Sequence, residues 1–240
     1  MNNLLRKINL KKTGILVIGL GYVGLPLLRN IFKKKFKVSG LDINKTLITR
    51  LKKTNKKINF YSSYNDIDFK EIDIIIIALP TPLKKNIPDL SYLKKCMSSL
   101  LPNLNKNQII ILESTSYPST TDEVVVSKIN KHFSVGKNFY VGYSPEREDP
   151  GNKKFNIRNI PKIVSGKTNN CRKLVSNFYS KICDRVELAT TMEVAEMTKL
   201  FENIFRSINI SLSNETKEIC KKINIDFNEV IKLASTKPFG

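Results

Sequence analysis

Apolar positions in this chain follow two different periods. Through the first 190 residues, short unbroken apolar runs predict strands over 15–18, 36–41, 73–79, 108–112, 139–142, 163–165 and 186–188. Between them, apolar residues three and four apart predict helices. One runs on from Gly24 through Leu25, Leu28 and Phe32. Others cover 89–101, with Asp89 as N-cap, 121–133 and 169–182. Continuous apolar strands alternating with helices predict an α/β fold, a doubly wound parallel sheet with right-handed crossovers. Ligands of such sheets bind beyond the carboxyl ends of the strands. The loops at 79–82, 113–115 and 144–147 all follow strands, so they are expected on one rim. From Thr190 the period changes. The segment 191–222 contains neither Gly nor Pro and predicts one long helix, with Ile204, Ile208, Leu212 and Ile219 as an apolar stripe. Glu196, Lys199, Asn203 and Arg206 share another face of it. A short helix is expected over 226–235. This divides the chain into 1–189 and 190–240.

Composition narrows the class. With 41% hydrophobic and 26% charged residues in 240, the chain is ordinary globular material, not a disordered one. The 41 Lys and Arg against 21 Asp and Glu leave a net charge of +20. The excess is uneven, since residues 1–57 carry 15 basic residues and one acid, Asp42. The basic residues come as scattered pairs along the chain, which reads as a solvated surface and not as a nucleic-acid groove. The longest apolar run, 74–80, is far short of the about 20 residues of a membrane span, and the first residues lack a signal-peptide core. A cytoplasmic protein that binds neither membrane nor nucleic acid is expected. Cys96, Cys171, Cys183 and Cys220 have neither paired nor metal-ligand spacing and read as reduced thiols, and no metal site is expected. His132 receives no role.

The first chemical signal is Gly19, Gly21 and Gly24, a G-x-G-x-x-G placed between a predicted strand and a predicted helix. Gly19 permits the tight turn, Gly21 lets the backbone approach a pyrophosphate, and Gly24 lets helix and strand pack closely. The helix start offers unpaired N–H groups to the phosphates. Asp42 ends the next strand, 23 residues after Gly19. A carboxylate there accepts both ribose hydroxyls and repels a 2′-phosphate, so NAD is expected over NADP.

Several further segments carry a resemblance. They are the run 17–27, Thr81-Pro82-Leu83 with 88–92, Leu112-Glu113-Ser114-Thr115, the run 144–152 beginning Ser-Pro-Glu-Arg, the run 199–206 and the run 236–240. Together they resemble the nucleotide-sugar 6-dehydrogenase family, most closely its UDP-N-acetylglucosamine branch. The resemblance implies a Rossmann-like domain followed by the start of an all-α, dimerising central domain. It implies an NAD-dependent, four-electron oxidation of a sugar C6 alcohol to a carboxylate, through an aldehyde and a cysteine thioester. Lys199 matches the lysine that stabilises the developing oxyanion, and Asn203 the amide that donates to it. Thr115 matches the threonine that positions water, and Glu146 the carboxylate that assists its attack or orients the thiolate region. Cofactor contacts are implied for Gly19, Gly21, Tyr22, Val23, Gly24, Asp42, Thr81, Pro82 and Thr115. Substrate contacts are implied for Glu146, Arg147, Lys199, Asn203 and Arg206. The resemblance also implies a homodimer formed through the long helix. It places the nucleophilic cysteine and a UDP-gripping domain beyond Gly240, which leaves this chain alone inactive. A binding or dimerising module without catalysis is the alternative, as is UDP-glucose or UDP-N-acetylmannosamine as the substrate.

Overall fold

The computed structural model describes residues 1–147 and 159–238. The run after Arg147, Glu148 to Asn152, and the last two residues, Phe239 and Gly240, lie outside the described residues. The chain divides into two units, Met1–Lys199 and Leu200–Gly240.

In chain order the elements of the first unit are α1 (Asn2–Asn9), β1 (Gly14–Ile18), α2 (Gly24–Lys33), β2 (Lys37–Leu41), α3 (Lys45–Thr54), β3 (Asn59–Tyr61) and β4 (Ile74–Ile77). A small hairpin, β5 (Leu83–Lys84) and β6 (Ile87–Pro88), precedes α4 (Ser91–Leu100) and β7 (Ile109–Leu112). Then come a π-helical stretch (Thr121–Val126) leading into α5 (Ser127–Ile129), β8 (Tyr140–Tyr143), β9 (Lys162–Gly166), α6 (Asn169–Tyr179) and β10 (Val186–Leu188). The helix α7 (Met192–Lys222) begins in this unit.

Eight strands form one sheet in the order β10-β9-β8-β7-β4-β1-β2-β3. The four central strands are buried residue by residue, and the two sides of each run supply two different cores. Ile15, Val17, Ile74, Ile76, Ile109, Ile111 and Tyr140 face one core with Leu27, Ile31 and Phe178. Leu16, Ile18, Ile75, Ile77, Ile110, Leu112 and Val141 face the other with Leu93, Met97 and Ile129. Burial on both faces is why these strands read as unbroken apolar runs instead of alternating ones.

The structure corrects the sequence expectations in four places. First, β9 runs antiparallel to β8, pairing Tyr143 with Ser165 and Gly142 with Gly166, while every other pair in this sheet is parallel. Second, α4 starts at Ser91, so its N-cap is Leu90 and not Asp89. Asp89 instead accepts from the Ser91 N–H at 2.9 Å, one position further out. Third, the helix expected over 121–133 opens as a π-helix. Three consecutive β-branched residues, Val124 to Val126, disfavour a regular α-helix there. The Thr121 N–H is also taken by a side chain, described below. Fourth, α1, α3, β3 and the hairpin had no counterpart in the apolar pattern. α1 is held by Leu4 and Ile8, both buried, and by Lys7, whose ammonium pairs with Asp73 at 2.7 Å.

The second unit comprises the rest of α7 and α8 (Phe227–Ala234). Asp226 caps α8 by accepting from the Asn228 N–H at 2.8 Å. Phe201, Phe205, Ile208, Leu212 and Ile219 are exposed on α7, whereas Cys220 is buried.

Candidate functional site

The glycine turn is built as its spacing requires. Gly19 follows β1 with a φ of +88°, and a Cβ there would lie 2.4 Å from the Ala78 carbonyl oxygen. A Cβ on Gly24 would lie 1.8 Å from the Gly19 carbonyl oxygen, so this residue lets the first turn of α2 sit against the loop. Gly21 is different, because nothing lies within 4 Å of where its Cβ would point. The space over Gly21 is open to a ligand. No side chain caps the first turn of α2; Leu25 N–H donates to the Gly21 carbonyl at 3.2 Å and Pro26 has no N–H, which leaves Gly24 N–H as the first-turn donor for an anion. Asp42, at the end of β2, is oriented by two backbone donors, Leu20 N–H at 2.8 Å and Asn44 N–H at 2.9 Å. An ionised carboxylate has roughly four lone-pair sites, so acceptors remain for hydroxyls. Open space over Gly21, a helix start without a side-chain cap and an oriented carboxylate fit an adenosine dinucleotide with a free ribose diol.

These groups open onto one cavity of about 690 Å³, within the roughly 300–1,000 Å³ typical of small-molecule pockets. Gly19, Gly21, Tyr22, Val23, Asp42, Thr81, Thr115, Glu146 and Lys199 all line it. The strand-end loops therefore share one rim with the glycine turn. Thr81 Oγ1 donates to the Thr115 carbonyl and Leu79 N–H donates to Ser114 Oγ at 2.9 Å, tying the β4 loop to the β7 loop. Gly24, Pro82 and Arg147 do not line the cavity. The Pro82 carbonyl accepts from Asp89 N–H at 2.7 Å, and the Arg147 guanidinium donates to the Pro161 carbonyl at 2.8 Å. Asn203 and Arg206 belong to the second unit.

Sequence reasoning missed part of the cavity lining. Ile43, Tyr64, Tyr92, Lys95, Cys96 and Ser99 also line it. Tyr92, Lys95, Cys96 and Ser99 are spaced three, four and seven apart on α4, a helical face that was legible. Burial raises the Tyr64 phenol and pushes the Cys96 thiol up to about 11. All four cysteines are free and buried.

A buried ion cluster reaches the cavity through Glu113 and Glu146. Lys162 Nζ lies 3.2 Å from Glu113 Oε2 and 3.2 Å from Glu146 Oε2. The Tyr179 hydroxyl donates to Glu113 Oε1, and the ammonium lies 5.4 Å from the centroid of the Tyr179 ring. Burial raises the Glu113 carboxyl above its ordinary value, against the opposing pull of Lys162. Burial works against the Lys162 ammonium, but Glu113 and Glu146 more than offset it and raise its proton affinity. Neither Glu113 nor Lys162 was singled out from sequence, since neither sits in a pattern that announces burial.

Lys199 is placed by the start of α7. One turn earlier, Glu196 is fully buried and accepts from Ser119 N–H at 2.7 Å, Thr121 N–H at 2.9 Å and Thr121 Oγ1 at 2.6 Å. Burial raises the Glu196 carboxyl, although these donors oppose it. Among the described residues no group of side chains could hold a metal ion, and no helix is long and apolar enough to cross a membrane.

Residues 13–183 match the model of the UDP-glucose/GDP-mannose dehydrogenase family, NAD binding domain, and residues 193–240 match that family's central domain. Protein CapL of Staphylococcus aureus is 42% identical over 238 residues, covering 93% of this chain and 56% of the relative. A UDP-N-acetyl-D-glucosamine 6-dehydrogenase of Pseudomonas aeruginosa is 36% identical, covering 95% of this chain and 58% of the relative. Among solved structures, a UDP-D-ManNAc dehydrogenase from Pyrococcus horikoshii superposes with a TM-score of 0.87 at 30% identity, covering 95% of this chain and 59% of that one. The chain thus spans under two thirds of the length of these relatives.

Proposed function

Since the chain belongs to the UDP-glucose/GDP-mannose dehydrogenase family and carries its NAD-binding domain, we propose that it serves the NAD-dependent oxidation of the C6 alcohol of a UDP-N-acetylhexosamine to the uronic acid. One observation carries the reading: the glycine turn, Asp42, Thr115, Glu146 and Lys199 line a single cavity. UDP-N-acetylglucosamine is the preferred substrate. Relatives named for that activity are 36% and 37% identical, against 29–33% for those named for UDP-N-acetylmannosamine.

Residues 1–189 hold the cofactor, and 190–240 begin the helical part through which two copies pair. Gly21 and the start of α2 would hold the pyrophosphate, and Asp42 would accept from the ribose diol. The chemistry the cofactor would supply is hydride acceptance, with one NAD consumed in each of the two oxidations. The chain's own residues manage charge and protons. The Lys199 ammonium stabilises negative charge as it develops on the sugar oxygen. Thr115 holds the attacking water, and Glu146 takes its proton. Asn203 and Arg206, on the same helix as Lys199, serve the substrate, as does Arg147. The thiol nucleophile of this chemistry is assigned to none of the four cysteines. Each is buried, and the thiols of Cys96 and Cys183 are pushed up to about 11 and about 12 by burial. A buried thiol with a raised pKa is a poor nucleophile.

The test has two parts. Calorimetry on the purified chain is expected to show NAD binding, with NADP at least tenfold weaker. Mixing the chain with UDP-N-acetylglucosamine, NAD and the cysteine-bearing remainder of a relative is expected to produce NADH, and Lys199→Ala is expected to abolish it. Absence of NAD binding overturns the reading. A second reading, an NAD-binding module that pairs without catalysis, is favoured by the exposed Phe201, Phe205, Ile208 and Leu212 on α7. Dimers in sedimentation with no NADH from any mixture would select it.

A further inference from the structure

Among the described residues, the ion pairs in which both side chains are buried are those of Lys162 with Glu113 and with Glu146. A lysine side chain only 4% exposed is rare and needs a reason. The reason begins with topology. At the carboxyl rim of a parallel sheet, every strand contributes its last residues. The antiparallel strand β9 contributes its first residue, Lys162, instead. Continuing the Tyr143–Ser165 register beyond the strand ends brings Lys162 across from Glu146, and the 3.2 Å contact realises that pairing. Ser144 Oγ donates to the Ile163 carbonyl at 2.7 Å and holds the two segments at this separation.

We propose that Lys162 is a positioning residue for Glu146: it fixes the carboxylate at the cavity wall and keeps it charged there, while Glu113 and Tyr179 hold the ammonium in place. This rests on the role of Glu146 proposed above. A carboxylate that must accept a proton from water has to be ionised beforehand, and a dry wall favours the neutral acid. The buried ammonium reverses that preference without touching the substrate. The groups facing this pair include Glu113 from the end of β7, Tyr179 from α6, and Cys183. Lys199 lines the same cavity, and Arg147 N–H donates to Glu146 Oε1 at 2.7 Å. Two carboxylates around one ammonium leave a surplus negative charge.

The experiment follows the Glu146 carboxyl by 13C NMR in the 240-residue chain labelled at glutamate Cδ, with the resonance identified by its loss in Glu146→Gln. In Lys162→Gln the midpoint of Glu146 is expected to rise by at least one pH unit, a tenfold change in proton affinity, and in Lys162→Arg to return. An unmoved midpoint in folded Lys162→Gln overturns the proposal. If Lys162→Gln does not fold, the contact is read from the other side through the 15Nζ resonance of Lys162. That resonance is expected to shift in Glu146→Gln, with its ammonium hydrogens exchanging at least tenfold faster. An unchanged resonance and rate overturn the proposal. NAD binding, measured on the same samples, tests the functional reading separately.

Discussion

Glu196 Oε1 accepts two hydrogen bonds from one residue, Thr121, at 2.9 Å from the backbone nitrogen and 2.6 Å from the hydroxyl. The pair joins the first turns of α7 to the π-helical stretch, and Lys199 follows one turn later on α7. Glu196→Ala leaves the Thr121 and Ser119 donors without their acceptor. A loss of about 2–4 kcal/mol in stability is expected in urea denaturation. Amide exchange over 192–199 should accelerate by more than tenfold. Exchange unchanged there would remove Glu196 as the anchor of Lys199.

The glycines separate folding from binding. Gly24→Ala forces a Cβ to 1.8 Å from the Gly19 carbonyl oxygen, so it should lower stability by at least about 3 kcal/mol or prevent folding. Gly21→Ala meets nothing within 4 Å in the protein itself. Its melting temperature should stay within about 2 °C of the parent, an effect below about 0.5 kcal/mol. Its NAD affinity should fall at least tenfold, because the methyl occupies space assigned to the pyrophosphate. Equal NAD affinities for Gly21→Ala and the parent would place the dinucleotide elsewhere.

Asp42→Asn removes the negative charge while retaining an acceptor for Leu20 or Asn44 N–H. NAD affinity should drop about tenfold, about 1.4 kcal/mol, and NADP affinity should rise, narrowing the gap between them. Calorimetric titration with both nucleotides measures the ratio, and an unchanged ratio would show that Asp42 does not read the ribose.

The pH dependence of stability should carry the signature of Glu113. Its carboxyl is raised above 4.5 by burial, so the folded chain holds this proton to a higher pH than the unfolded chain does. From about pH 4.5 upward the folded state therefore binds more protons. Stability falls as pH rises through the window up to the raised folded value. Glu113→Gln removes that term. Urea midpoints collected from about pH 4.5 to pH 8 should decline less steeply for Glu113→Gln than for the parent. Parallel curves would contradict the assignment.

What could be read from the chain beforehand was local in origin. Gly19, Gly21, Gly24 and Asp42 announce themselves because a turn and a strand end are made by neighbours in sequence. The central strands were legible because burial on both faces leaves no polar residue among Ile74 to Ile77. The direction of β9 was not legible, since nothing within Lys162–Gly166 distinguishes a parallel from an antiparallel neighbour. Assigned a parallel direction, Lys162 falls at the edge away from the rim, which is why it drew no attention. Glu113 lay inside a quoted motif without a role, because its neighbours Lys162 and Tyr179 arrive from 49 and 66 residues away. α1 escaped because its hold on the sheet rests on two apolar residues, Leu4 and Ile8, in a polar, lysine-bearing segment.

The reversed strand has a consequence for how the chain finds its fold. Adjacent residues of β9 face opposite sides of the sheet, Val164 toward one core and Ile163 toward the other. A slip of one residue would turn Lys162 away and present an apolar neighbour to Glu113 and Glu146. Two carboxylates would then be sealed together without a cation. Misregistered pairings are thus rejected by charge as well as by shape, and β9 proofreads its own alignment.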